Sequence, residues 1–130
     1  MDYDFSNGPN CIESIKNFRG LVSGDINYID EYLEKIITKR GGKPERCVGD
    51  KIKQFKGLYP NSEELISDMR YLNKIRNALI HGKTKRDAQN LDLLYCIYNK
   101  GKRIEITKNL VDEFQKTYTR VYDTLIELNR

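Results

Sequence analysis

The sequence predicts an all-α domain: a bundle of four to five helices with one small β-hairpin inserted before the last helix. Apolar residues recur at intervals of three and four over most of the chain, which is helical spacing. Only between about residues 91 and 107 does the period change toward that of paired strands. The length of 130 residues favours a single domain over 1–130, with residues 1–8 as a loose N-terminal tail.

The first predicted helix begins near Pro9, because the first turn of a helix tolerates a residue without an N–H. Gly20 and Ser23-Gly24 weaken its middle, so a kink or a break into two helices remains open. Gly41-Gly42 is expected to end it. The apolar residues of this stretch are Ile12, Ile15, Phe18, Val22, Ile26, Ile29, Leu33 and Ile36.

Two further helices are predicted before residue 83. Pro44 opens the shorter one, and Tyr59-Pro60 stops it after an apolar side of Val48, Ile52 and Phe55. The next helix runs from about Ser62 to His81, with Asn61 as N-cap and Glu64 placed as in a capping box. Gly82 is expected to be its C-terminal stop.

A polar loop is expected after Gly82, followed by the hairpin. Residues 91–98 are rich in apolar and aromatic side chains, and residues 102–107 alternate, with Ile104 and Ile106 on one face. Asn99-Lys100-Gly101 has the composition of a short hairpin loop with glycine in the left-handed conformation. A last helix is predicted over about 109–128, with an apolar stripe of Leu110, Phe114, Val121, Leu125 and Leu128.

Composition narrows the classes of protein. The chain is 38% hydrophobic, but its apolar runs are only a few residues long, so no segment is expected to span a bilayer. Met1-Asp2-Tyr3-Asp4 is acidic and has no apolar run behind it, which is unlike a secretory signal, so we expect a cytoplasmic protein. Three cysteines, far apart and odd in number, are expected to be buried or half-buried free thiols: Cys11, Cys47 and Cys96.

Basic residues are concentrated in two segments of a chain whose net charge is only +4. Residues 38–56 carry +5 and residues 82–103 carry +4, which leaves −5 on the remainder. Such segments indicate either a nucleic-acid site or a solvated surface, and charge alone leaves both open. The basic residues are Lys39, Arg40, Lys43, Arg46, Lys51, Lys53 and Lys56 in the first segment, and Lys83, Lys85, Arg86, Lys100, Lys102 and Arg103 in the second.

One stretch, from Lys74 to Gly82, carries the clearest indication of chemistry. It holds the only histidine of the chain, His81, and histidine can both take and give a proton near neutral pH. Arg76 stands five positions earlier with Asn77 beside it, and arginine is well shaped to bind phosphate. These residues point to phosphodiester chemistry.

A helical projection places these side chains relative to the core. Arg76 falls in the middle of the apolar face, whose members are Leu65, Met69, Leu72, Leu79 and Ile80. An unpaired arginine in a core is costly, so Arg76 must meet a carboxylate, lie in a polar cleft or sit at an interface between chains. Asn73, Asn77 and His81 follow at four-residue steps and line a polar stripe along one edge of that face.

A purely structural interpretation of the same residues is available. Histidine in the last turn of a helix is favoured by the helix dipole and can cap free carbonyls, which accounts for His81. Arg76 can be a buried ion-pair partner of an acidic residue on another helix: Asp30, Glu34, Glu113 or Asp123. This interpretation predicts a monomeric helical interaction protein.

The stretch from Arg76 to His81 resembles the signature of the HEPN superfamily, which is an arginine, a polar residue that is often asparagine, a few mostly apolar residues and a histidine. With Gly82 it looks like the RN-xxx-HG form of prokaryotic members. The resemblance covers about residues 62–82, and the helical architecture around it is consistent with the family.

The resemblance implies a homodimer in which two copies of the motif face each other and form a metal-independent endoribonuclease site, in a defence or toxin–antitoxin setting. Arg76, Asn77 and His81 would be its catalytic residues. Asn73 and the basic residues after the histidine, Lys83, Lys85 and Arg86, are expected to contact RNA. An antitoxin or nucleotidyltransferase is a possible partner, and no membrane association is expected.

Other members of the superfamily have lost catalysis, so a non-catalytic nucleotide-, RNA- or protein-binding module is the alternative. The sequence contains no P-loop, Gly-rich dinucleotide fingerprint, nucleophile elbow or metal-binding helix motif, so no cofactor and no metal are expected. Four of the nine tyrosines can stack on bases or pack in the core or at an interface, and we favour packing for all four: Tyr95, Tyr98, Tyr118 and Tyr122.

Overall fold

Four helices and one antiparallel sheet form the described part of the chain, in a computed structural model that describes residues 12–89 and 94–130. The helices are α1 (Ile12–Lys39), α2 (Val48–Leu58), α3 (Glu63–His81) and α4 (Lys108–Leu128). The strands are β1 (Lys83–Arg86), β2 (Leu94–Tyr98) and β3 (Lys102–Ile106), in the order β1-β2-β3. The predicted tail, the helix start at Pro9, Cys11 and the beginning of the apolar segment at Leu91 lie outside the described residues.

α1 is one continuous helix of 28 residues, so the break that the sequence left open at Gly20–Gly24 does not occur. Its predicted stripe from Phe18 to Ile36 is buried in the core. A glycine inside a helix costs about 1 kcal/mol relative to alanine, whereas burying one large apolar side chain gains about 1.5–3 kcal/mol. Packing along the whole stripe therefore outweighs the two weak positions.

The core forms where apolar faces of all four helices meet one face of the sheet. The Phe18 and Phe114 rings meet edge to face at 5.8 Å and join α1 to α4. Further along the same pair of helices, Tyr32 packs against Tyr122 at the same separation, and Tyr122 against Tyr118 at 5.7 Å. The expectation that Tyr118 and Tyr122 serve packing is therefore met.

The second helix begins later than Pro44, at Val48, with Cys47 as its N-cap. The Gln54 side chain explains the delay, because its amide nitrogen donates to the Lys43 carbonyl oxygen at 2.8 Å and its amide oxygen accepts from Glu45 N–H at 2.9 Å. These bonds hold the segment before the helix as a loop. Cys47 is exposed, contrary to the expectation of a buried or half-buried thiol, whereas Cys96 is free and buried as expected.

The third helix begins at Glu63, and its N-cap is Ser62 rather than Asn61. Ser62 makes no side-chain capping bond, so the predicted capping box with Glu64 does not form. Instead, Ser62 N–H donates to the Tyr59 carbonyl oxygen at 3.1 Å, which closes a turn and moves the helix start forward by one residue. The last helix starts at Lys108, within one residue of the prediction, and Thr107 caps it by accepting from Leu110 N–H at 3.1 Å.

The small sheet has three strands, so the expectation of a lone hairpin preceded by a polar loop is wrong in one respect. The predicted hairpin is present, and its loop residues Asn99, Lys100 and Gly101 have φ angles of 42°, 65° and 88°. The missed strand is β1, whose backbone pairs antiparallel with β2. Its four side chains are exposed, so no apolar alternation marks it in the sequence.

α2 is tied to α1 by a buried lysine. The Lys51 side chain is only 2% exposed, and its Nζ lies 2.6 Å from Asp30 Oδ1 and 3.0 Å from Glu34 Oε1. Burial by itself lowers the pKa of Lys51, but the bonds to both carboxylates outweigh burial and raise that pKa above 10.5. Asp30 and Glu34, considered above as partners of Arg76, instead neutralise Lys51.

None of the described helices has both the length and the apolar character that crossing a membrane requires.

We expect Lys51→Met to destabilise the fold by about 2 kcal/mol, because it leaves two carboxylates without their cation while keeping most of the stem volume. Breaking a fully buried pair costs about 3–5 kcal/mol. The cost is smaller here because the Asp30 and Glu34 side chains are 30% and 52% exposed. Urea unfolding measures the change. Lys56→Met, at an exposed position of the same helix, is the matched control, and an equal effect of the two variants would contradict a stabilising role for the ion pairs.

Candidate functional site

An open cavity of about 840 Å³ lies between the N-terminal half of α2, the C-terminal half of α3 and the turn between β2 and β3. α2 lines it with residues 47–50, 52 and 53, and the turn contributes Tyr98 and Asn99. α3 contributes six polar or charged side chains: Arg70, Asn73, Lys74, Arg76, Asn77 and His81. The cavity is therefore polar along its α3 wall.

The structure brings the predicted motif residues together. Arg76, Asn77 and His81 all line this cavity, and Asn73 lines it with them. The four-residue steps predicted a single polar stripe for Asn73, Asn77 and His81, and the helix places all three on the same wall. Proton transfer and phosphate binding can thus act on one molecule held in this space.

Arg76 lies at the margin of the buried face of α3 and not in its middle. The buried side chains of α3 are Ile66, Met69, Leu72, Ile75, Ala78 and Leu79. The projection from sequence omitted Ile66, Ile75 and Ala78, which are buried, and counted Ile80, which is 37% exposed. With the face rotated in this way, Arg76 is half-buried and borders the cavity.

The Arg76 guanidinium has a polar neighbour but no ionic one among the described side chains. Its Nη1 donates to Asn77 Oδ1 at 3.2 Å, and no described carboxylate lies within salt-bridge distance. Of the three environments considered for Arg76, a polar cleft is the one found in the single chain. A guanidinium without a counter-ion beside a cavity has donors left for an anion.

His81 is the last residue of α3, and its side chain is exposed. It forms no hydrogen bond with any described residue, so the helix-capping role suggested above is not observed. The backbone N–H that closes the helix belongs to Gly82, which donates to the Ala78 carbonyl oxygen at 3.0 Å. The imidazole is therefore left available to a bound molecule.

Asn73 contributes an unsatisfied acceptor to the cavity. Its Oδ1 atom is buried and has no hydrogen-bond partner in the described part of the chain. An unpaired buried acceptor costs about 1–3 kcal/mol, and a turn of the Asn73 side chain toward the cavity would let an N–H or O–H group of a ligand remove that cost.

Three cations of the cavity were not identified as site residues from the sequence: Lys53 on α2, and Arg70 and Lys74 on α3. All three are exposed and form no ion pair or hydrogen bond with described residues. Asp50 is the one acidic side chain among the described residues that line the same cavity. Arg70 and Lys74 lie on the stripe of Asn73 and Asn77 at helical spacing, so widening that stripe to Lys74 and extending it one turn to Arg70 would have found them.

The basic residues that follow the histidine lie elsewhere. Lys83, Lys85 and Arg86 are on β1, an edge strand of the sheet, and none of them lines the cavity. They are therefore not part of the cavity lining, and their contact with RNA stays a prediction. Within the same basic segment, Arg103 bonds Asp87 at 2.7 Å and stacks on the Tyr95 ring at 3.9 Å, so both of these side chains serve packing.

Tyr98 differs from the other tyrosines, because its half-buried side chain lines the cavity beside the motif. This position is compatible with both roles considered for Tyr98, packing at an interface and stacking on a base. The hairpin loop places it there, since Tyr98 ends β2 immediately before the turn. Within residues 12–89 and 94–130, no group of three or more His, Cys, Asp and Glu side chains is arranged to hold a metal ion.

Comparisons of this chain with protein-family models, with curated proteins and with solved structures give no match.

Gly82 joins the end of α3 to β1 at a point where no side chain fits. Its backbone is extended, with φ −82° and ψ 165°, so the glycine is not required for a left-handed conformation. A Cβ atom here would lie 2.3 Å from the Ala78 carbonyl oxygen and 2.9 Å from that of Ile97. The close approach of these two carbonyls explains why glycine follows the histidine.

We expect Gly82→Ala to destabilise the protein by roughly 2 kcal/mol, because either α3 or β2 must move to admit the methyl group. Chemical unfolding followed by circular dichroism measures the effect. Gly20→Ala is the control: a Cβ at Gly20 meets nothing within 4 Å, so that variant should gain up to about 1 kcal/mol. Equal stability of Gly82→Ala and the wild type would disprove the steric explanation.

Proposed function

We propose that this protein is a HEPN-type, metal-independent endoribonuclease that acts as a homodimer in a defence or toxin–antitoxin setting. One observation carries the proposal: Arg76, Asn77 and His81 open into the same cavity, and neither Arg76 nor His81 is neutralised by a described carboxylate. A structural role for the motif would predict an ion pair at Arg76 and a capped helix end at His81, and the described residues form neither.

The proposed reaction is cleavage of RNA by its own 2′-hydroxyl. The 2′-oxygen attacks the adjacent phosphorus, the bond from phosphorus to the 5′-oxygen breaks, and the products carry a 2′,3′-cyclic phosphate and a 5′-hydroxyl. His81 takes the proton of the attacking hydroxyl or gives one to the leaving oxygen. Arg76 holds the non-bridging oxygens, whose negative charge grows in the transition state, and Asn77 orients the Arg76 guanidinium through their hydrogen bond.

Two copies of the chain would supply both the base and the acid that this reaction requires. One histidine does not readily serve as both base and acid in one step, but a two-fold dimer supplies two. Ile80 supports such an arrangement, because it lies between Arg76 and His81 in the sequence and is 37% exposed. Tyr28 is the other large hydrophobic residue that is exposed in the described part of the chain, and Ile80 offers a second copy one apolar contact beside the motif.

Purified protein is expected to cleave single-stranded RNA in the presence of EDTA, and His81→Ala is expected to lower the cleavage rate by at least about 100-fold. General acid–base catalysis contributes about 100- to 10,000-fold, which sets this expectation. Because His81 is exposed and forms no hydrogen bond with described residues, its replacement should change the stability by less than about 0.5 kcal/mol. Denaturing gels and end-group analysis of the products measure the activity.

His81→Ala purified in parallel also controls for contaminating nucleases. Arg76→Lys keeps the charge but loses the planar guanidinium, and it should also cleave more slowly than the wild type. If wild-type protein is inert, or if His81→Ala cleaves equally well, the catalytic proposal is wrong. Protection of the inert protein against heat by a nucleotide would then favour the non-catalytic binding module.

Ile80→Asp is expected to convert the dimer into a monomer and to reduce cleavage with it, because a charge would then have to be buried at the two-fold contact. Light scattering coupled to size-exclusion chromatography measures the mass at micromolar concentration. Tyr28→Asp is the matched control, since it places the same charge at an exposed large side chain on α1. A monomeric wild type, or a dimer that survives Ile80→Asp, would show that this face is not the interface.

A further inference from the structure

The polar stripe of α3 continues beyond the motif toward the N-terminus of the helix. Arg70 and Lys74 are four residues apart, and they interleave with Asn73 and Asn77 at spacings of three and four, so the four side chains share one face. All four line the cavity with His81. The stripe is thus cationic at one end and carries the motif at the other.

A third cation faces this stripe from the opposite wall. Lys53 extends from α2 into the same cavity, and we call Lys53, Arg70 and Lys74 the cationic groove. No described carboxylate neutralises them, although carboxylates neutralise Lys51, Arg103 and Arg120 elsewhere. Asp50 is the only acidic residue in the described lining, so the cationic groove carries a net positive charge even when Asp50 is counted.

We infer that the cationic groove binds the phosphodiester backbone of single-stranded RNA on one side of the cleavage position. This inference rests on the proposed function, and it assigns roles to three residues outside the motif. Three exposed, unneutralised cations beside an open cavity suit repeated phosphate charges, because each can contact one phosphate and release its counterions. Asn73 lines the same wall, and its buried Oδ1 can accept a hydrogen bond from the sugar or base of the same strand once the side chain turns toward the cavity.

The dimensions of the groove favour a strand of several nucleotides. Eleven residues separate Arg70 from His81, which is roughly 16 Å along a helix that rises 1.5 Å per residue. Stacked nucleotides in one strand are about 3.4 Å apart, so about five of them span this length.

Tyr98 and Lys74 favour RNA over a small anion as the ligand of the cationic groove. An aromatic ring at the cavity can stack on a base, which a free phosphate does not offer. Lys74 lies between Arg70 and the motif, so the positive charge is spread along the wall and is not gathered around one point. A row of charges ending in an aromatic ring matches a polymer of bases and phosphates.

The test measures binding of a fluorescein-labelled, twelve-nucleotide RNA whose sugars are all 2′-O-methylated, so that it cannot be cleaved through its 2′-oxygen. Fluorescence anisotropy is recorded between 50 and 200 mM KCl, the range over which salt strongly changes nucleic-acid affinity. Arg70→Gln with Lys74→Gln is the first variant, and Lys53→Gln is the second. Lys56→Gln with Lys108→Gln is the matched control, since both of these lysines are exposed and outside the cavity.

Each lost charge should weaken binding by about 1.4-fold to fivefold, which corresponds to the 0.2–1 kcal/mol range typical of an exposed charge pair. The slope of log affinity against log salt concentration should fall by about 0.7 for each lost phosphate contact. The control pair should change neither quantity.

Equal losses in the control pair, an unchanged salt slope in the groove variants, or failure of the wild type to bind the RNA would overturn the inference. The failure of the proposed nuclease is a different result, because it appears only when unmodified RNA is offered. A protein that binds through the groove but never cleaves would support the groove and refute the nuclease. If the wild type cleaves RNA but the groove variants bind RNA as tightly as the control pair does, the nuclease is supported and the groove is refuted.

Discussion

The arrangement around the cavity depends on a lysine that is hidden from solvent. α2 has only 11 residues, a length at which an isolated helix is marginal in water. Burial of Ile52 and Phe55 holds α2 against the core, and the ion pairs of Lys51 with Asp30 and Glu34 attach it to α1. Because α2 supplies one wall of the cavity, these contacts determine whether the cavity exists.

Two lysines of α2 differ in what neutralises their charge. Lys51 comes from the most basic segment of the chain, yet its charge is neutralised and buried. Lys53 is two residues away, and on a helix this places it on a different side, exposed beside the cavity. Lys51, which has carboxylate partners, holds α2 to α1, whereas Lys53, Arg70 and Lys74, which have none among the described residues, line the cavity with Arg76 and His81.

The opposite end of the cavity is set by backbone packing. Gly82 lets the end of α3 approach the Ile97 carbonyl closely, and β1 then pairs with β2 immediately after the helix. This pairing places His81, the last helical residue, near Tyr98 and the hairpin turn that line the same cavity. The motif thus joins a rigid helix end to a sheet, and the proposed acid–base group gains a defined position from that junction.

The sequence by itself determined the helical architecture and the grouping of the motif. Helical spacing gave the stripes of α1 and α4 and placed Asn73, Asn77 and His81 on one wall, because such periodicity is local to each helix. The left-handed conformation of the hairpin loop was also predictable from the sequence, because glycine in a short hairpin loop commonly adopts a positive φ angle.

Only the tertiary structure decided what each charged residue meets. β1 has no apolar pattern, and it becomes a strand because β2 offers it a backbone partner. Asp30 and Glu34 pair with Lys51 rather than Arg76 because helix packing, which spacing within one helix does not specify, brings α1 and α2 together there. For the same reason, Lys53 on α2 lines the cavity with the motif of α3, although the two are far apart in the sequence. Lys83, Lys85 and Arg86 follow His81 directly in the sequence, yet they are not among the residues that line the cavity.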